Sequence, residues 1–218
     1  MTTLTVYPDS GQAGTSTDDA VRVVNAADWA TARAASSGSA FTNASEFYFG
    51  VSGASPGTWT LWRCFLHFDT SSLPDGATIS DAVLSLSRGG TNAQNETTYR
   101  SNPQVVASTA ASNNAIVDGD FDQVGSAAFC DSPPTLATYA ASSGYKDFTL
   151  NAAGKAAINK TGVTKLAVRA TNDLNDTAPS ANSYGAVIAA ENSGTTNDPK
   201  LVITYTEASA FVPKIIIS

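Results

Sequence analysis

From Trp62 to Arg88 the chain reads WRCFLHFDTSSLPDGATISDAVLSLSR, two alternating runs on either side of a break. Cys64, Leu66 and Phe68 fall on one face of the first run; Arg63, Phe65, His67 and Asp69 fall on the other. In the second run Ala82, Leu84 and Leu86 alternate with Asp81, Val83, Ser85 and Ser87. A period of two is what a strand with one face in a core produces, because successive side chains leave the pleat on opposite sides. Pro74-Asp75-Gly76 supplies the break, Pro through its preset φ and Gly through its access to positive φ. The stretch therefore predicts strand, turn-rich crossing and strand, with Cys64 inward and His67 outward. It commits the chain to an all-β architecture.

Shorter runs of extended, strand-type sequence lie at 3–7, 20–24, 46–51, 105–107, 146–150, 165–170, 186–190 and 201–205. In the last three, Leu166, Val168 and Ala170, then Ala186, Ile188 and Ala190, then Leu201, Ile203 and Tyr205 mark one face. Two short helices interrupt the pattern. Residues 26–35 carry Asp28 as cap or first-turn acid, an alanine-rich body, and Trp29 one turn from Arg33; residues 152–158 follow Asn151 as cap. With no internal repeat and no linker, residues 1–206 read as one domain and 207–218 as a separate tail.

Phe65-Leu66-His67-Phe68-Asp69-Thr70-Ser71-Ser72-Leu73-Pro74-Asp75-Gly76-Ala77-Thr78-Ile79, followed by Ala82-Val83-Leu84-Ser85-Leu86, resembles the signature of the DNRLRE-type β-sandwich family. The late segment Ala189-Ala190-Glu191-Asn192-Ser193-Gly194, then Asp198-Pro199-Lys200-Leu201-Val202-Ile203-Thr204-Tyr205, is similar to the closing hallmark of that family, a Glu-bearing strand before a Pro-x-Leu strand ending in Tyr. The resemblance implies an antiparallel jelly-roll-like β-sandwich, here with one or two short helices. It also implies a carbohydrate-binding-module-like domain of the kind appended to secreted polysaccharide-active and cell-surface proteins, or a free-standing structural protein of phage and environmental origin.

Composition narrows the function classes. Nineteen acidic residues against twelve basic give a net charge of −7, the wrong sign for a nucleic-acid partner, which needs clustered Lys and Arg to neutralise phosphates. No run of 18 apolar residues exists, so no membrane span is expected. The opening MTTLTVYPDS has neither a basic n-region nor an apolar h-region and does not read as a signal peptide. That fits a protein made without one, as virion proteins are, or one from which a leader has been removed. Two cysteines, Cys64 and Cys130, are too few for a disulfide framework or a zinc site, and Cys64 reads as a buried thiol.

Catalytic chemistry finds few candidates. His67 is the single histidine, which excludes multi-histidine metal sites and HExxH. Asp118, Asp120 and Asp122 alternate like the first half of a calcium loop, but Phe129 stands where the bidentate acid belongs; the run reads as a polar turn or as a site for a structural Ca2+. Trp59 and Trp62, with Tyr48 on the preceding strand, are either core anchors or the aromatic faces on which a module grips sugar rings. Phe211, Val212, Ile215, Ile216 and Ile217 make the tail apolar. Such an edge needs covering, by the tail's own domain or as a strand added to a neighbouring subunit. The resulting expectation is no enzyme and no required cofactor. It is a structural or adhesive module of a virion surface or extracellular setting, assembling with copies of itself or other surface proteins, with glycan binding as the alternative.

Overall fold

A computed structural model of the protein describes residues 1–8, 19–41, 45–53, 58–89, 101–141, 143–180, 182–189 and 195–207, with backbone only at 19–24, 40 and 41. The chain is all-β and sandwich-like. In order it runs β1 (Thr2–Val6), β2 (Asp19–Ala26), α1 (Trp29–Ala34), β3 (Ser39–Phe41), β4 (Glu46–Ser52), β5 (Trp59–Asp69) and β6 (Thr78–Ser87). There follow β7 (Pro103–Ala107), a 3-10 turn (Asp118–Asp120), α2 (Leu136–Ala140), β8 (Tyr145–Thr149), α3 (Ala152–Ala156), β9 (Val163–Ala170), α4 (Thr171–Leu174), β10 (Ser183–Ile188) and β11 (Lys200–Thr206). One sheet has the order β1-β11-β6-β8. The second runs β10-β4-β5-β2-β3, with β9 joining β5 to β7.

β5 is the hub of the second sheet. One edge pairs with β2 over Trp59 to Leu66. The other is divided, β4 taking Thr60 to Trp62 and β9 taking Cys64 to Asp69, all antiparallel. A strand of eleven residues is long enough to serve two shorter partners end to end. Between the sheets lies the main core, in which Cys64, Leu66, Phe68, Phe47, Phe49 and Val168 meet Leu84, Leu86, Phe148, Leu201 and Ile203. In β10 Val187 and the following Ala189 join the main core, while Ala186 on the other face is also buried and Ile188 is half-buried.

The far face of β5 is not solvated. Arg63, Phe65 and His67 are only 3%, 0% and 1% exposed, so His67 points inward to a second layer and Asp69 alone remains outside. The connection after β7 folds back over this face: Gly125 donates to Ala107 O at 2.8 Å and Phe129 to Val105 O at 2.8 Å, capping the free edge of β7. Two satellite cores result. Phe65, Val106, Ala110, Ile116 and Ala167 form one, and Ala32, Val51, Leu61 and Phe121 the other.

The helices follow their caps. Asp28 accepts from Thr31 N at 2.8 Å and Asn151 from Gly154 N at 3.1 Å, as expected. α2 and α4 were not foreseen. α2 begins at Thr135, whose hydroxyl accepts from Thr138 N, and exists to deliver Tyr139. That buried phenol shares its proton between Ser87 O (3.2 Å) on β6 and Ala186 O (2.8 Å) on β10, tying one sheet to the other. Ala77 N donates to Pro74 O at 2.8 Å, so Asp75 and Gly76 form the corner and Pro74 precedes it. Leu84 sits at the centre of the main core with no exposure. Leu84→Ala should therefore lower unfolding free energy by about 2–5 kcal/mol in urea titration.

Candidate functional site

Three aromatic side chains gather where β10, β4 and β5 run side by side. Gly50 on β4 lies opposite Trp62 on β5 and opposite Tyr184 on β10. Gly50 has φ +116°, a backbone state suited to glycine, and a Cβ there would stand 2.2 Å from Ser183 O and 2.9 Å from the Tyr184 Cβ. With no side chain between them, the rings of Trp62 and Tyr184 close to 5.0 Å. Tyr48, two residues earlier, adds its ring at 5.8 Å from Trp62 and 6.1 Å from Tyr184. All three are half-buried and keep part of their surface in solvent, and Tyr48 and Trp62 rest on the core. Their planes are tilted by 41–72°, so the three rings pack edge against face rather than stacking flat.

Tyr48 and Trp62 are thus brought together as the sequence suggested, but Trp59 is not with them. It leaves the opposite face of β5 and packs on Trp29 at 5.6 Å, beside the satellite core of Leu61 and Val51. An odd separation along a strand puts two residues on opposite faces. Tyr184 joins them because β10 begins at Ser183, ahead of the alternating run that marks this strand in the sequence.

The far face of β5 carries a charged cluster. Arg63 clasps Asp173 through Nε and Nη2, both at 2.8 Å, and Arg169 clasps the same carboxylate at 2.7 and 2.9 Å. Arg63 also donates to Phe121 O and to Arg33 O, and its guanidinium lies 4.2 Å from the centre of the Phe121 ring. Arg169 donates to Gly125 O at 2.8 Å, and Arg33 Nε to Asp173 O at 2.8 Å. Asp173 is fully buried. Burial alone would raise its pKa, but hydrogen bonds and charge from the two guanidiniums bring it down to about 2. The cluster spends its donors on α1, on the loop that crosses the face and on α4, which makes it a clamp. Arg169 lies on β9 and Asp173 on α4, so their four-residue spacing is not a helical pair and does not mark the cluster in the sequence.

His67 is held beneath the same loop. Its Nδ1 donates to Asn113 O at 3.2 Å while Nε2 is buried and, among the described residues, has no hydrogen-bond partner. Burial pushes its pKa down to about 4, so the ring is neutral near pH 7.

The carboxylates of Asp118, Asp120 and Asp122 do not converge. Asp120 turns inward and accepts from Val117 N at 2.7 Å, closing its own 3-10 turn, while Asp118 and Asp122 are exposed. At three residues per turn, alternate side chains point well apart. Among the described residues no group of three or more His, Cys, Asp or Glu is placed to hold a metal ion. Cys64 and Cys130 are both buried and not joined in a disulfide, and burial raises the Cys130 pKa to about 12. Gly53-Ala54-Ser55-Pro56-Gly57 spells G-x-S-x-G, but β4 precedes it and β5 follows, whereas a nucleophile elbow needs strand, turn and helix. Phe211, Val212, Ile215, Ile216 and Ile217 lie outside the described residues. No helix among the described residues is long and apolar enough to cross a membrane.

A scan against protein-family models and a search of curated proteins match nothing in this chain.

Asp173→Asn leaves two buried guanidiniums without a countercharge and should cost about 3–5 kcal/mol of stability, read by denaturant titration at neutral pH. Protonation gives a second expectation. The folded state takes up the His67 proton only near pH 4, and the unfolded chain near 6.5, so stability falls as pH drops through that interval. The loss is on the order of 3 kcal/mol, and a further loss follows toward pH 2 as Asp173 protonates. In His67→Gln the slope between pH 6.5 and 4 should flatten.

Proposed function

We propose that the chain is a non-catalytic adhesive module of a virion or cell surface, of the DNRLRE-type sandwich kind, and that it holds carbohydrate against the face formed by Tyr48, Trp62 and Tyr184. The observation that carries this reading is the half-exposed three-ring cluster, built around a glycine whose conformation leaves room for it. Sugar rings present apolar C–H faces that pack on aromatic faces, and tyrosine and tryptophan add polar edges for hydroxyls. The titratable groups on the opposite face support a non-catalytic role, because Asp173 is fully engaged by arginines and His67 is neutral and buried. The net charge of −7 favours a neutral ligand over a polyphosphate.

The structural side of the proposal, assembly with copies of itself, is supported by β1, an edge strand of its sheet among the described residues. The apolar residues Phe211 to Ile217 are its second support, as sequence alone.

A glycan array followed by calorimetry on the hits tests the reading. Binding should weaken about tenfold or more in Trp62→Ala and in Tyr184→Ala, and stay unchanged in Trp59→Ala on the other face. An array without hits, or affinity indifferent to Trp62, ends the carbohydrate reading.

A further inference from the structure

A concave feature elsewhere on the surface shares no residue with the aromatic cluster. A groove of about 380 Å³, open to solvent, runs between α3 and the start of β6; Ala77, Ile79 and Ile158 lie along its base and Ala152 and Ala156 on its exposed helix side. That volume falls within the range of small-molecule sites. Ala77 and Ile158 are buried to within 4% and 6% exposure, so the floor is continuous with the core. Two lysines complete the lining. Lys155 Nζ donates to Ser80 O and Lys160 Nζ to Ala77 O, both at 3.0 Å. Each ammonium has three N–H donors and, among the described residues, one acceptor, so both keep donors to spare.

Among the described residues no carboxylate and no aromatic ring lines this groove, in a chain whose acidic residues outnumber its basic ones by nineteen to twelve. The backbone carbonyls fix the ammonium groups in place, and the lysine stems extend the apolar wall. A sugar would find no ring to stack on, and a bare inorganic anion would leave the alkyl floor unused. The complementary ligand has an alkyl chain at one end and a negative charge at the other.

We infer that the groove between α3 and β6 is a binding site for a small amphipathic carboxylate of the medium-chain fatty-acid class, its chain on Ala77, Ile79, Ala156 and Ile158 and its carboxylate between Lys155 and Lys160. Affinity then rises with chain length, by up to about fourfold per methylene buried, and depends on the charge of the head group.

Titration of the full chain with octanoate, followed by amide resonances in ¹H–¹⁵N spectra, tests this. Shifts are expected at residues 77–80 and 152–160, stronger binding with decanoate than with hexanoate, and little response to octanol at the same concentrations. Lys155→Gln combined with Lys160→Gln should weaken octanoate at least fivefold. Ala156→Phe, an exposed helix position whose new ring fills the groove, should abolish binding while the rest of the spectrum keeps its dispersion. Three results overturn the inference: no localised shifts, octanol binding as well as octanoate, or affinity unchanged by both substitutions.

Discussion

The burial of both faces of β5 is the constraint on which the other features depend. Leu66 and Phe68 face the opposing sheet, whereas Phe65 and His67 face a layer of loop and short helix. A strand covered on both sides cannot leave polar side chains to water, so burying such groups on the far face favours partners inside the protein. Arg63 does so with Asp173, and Arg169 joins it from the neighbouring strand. The clamp in turn holds Phe121 O and Gly125 O. The covering layer is held down by the groups it buries.

The division of β5 between two partners has a consequence at its other end. β4 can pair only with the first residues of the strand before β9 takes over, and Gly50 turns the backbone at that point. A glycine between two cross-strand neighbours removes the wedge that would separate Trp62 from Tyr184. The aromatic cluster is thus a product of backbone geometry as much as of aromatic residues. Trp59, as aromatic as Trp62 and three positions away, belongs to a different surface because of the same pleat.

Much of the β framework was legible from alternation, since a two-residue period follows from backbone stereochemistry and needs no knowledge of neighbours. The caps of α1 and α3 were legible for the same reason: Asp28 and Asn151 act on N–H groups three residues away. Where a segment is buried on both sides, the period loses meaning. His67 has the parity of an outward residue and is 1% exposed, because what covers it lies 46 residues further along the chain. β10 shows the same limit: Val187 joins the main core, and Ala186, of the opposite parity, is buried as well. α2 and α4 are too short to carry a helical period at all, and the packing of Tyr139 and Asp173 decides them.

By itself the sequence determined what depends on neighbours along the chain: which segments are extended, where the corner at Pro74 lies, which residues cap helices, and which charges the surface can carry. The tertiary structure alone decided which face of each strand meets a partner and which residues converge. Asp118, Asp120 and Asp122 are adjacent in sequence and point apart, while Tyr48, Trp62 and Tyr184 span 136 positions and touch. The reason is physical. Extended conformation is a property of φ and ψ at each residue, but convergence requires two strands to choose each other, and that choice is made by the whole buried surface at once.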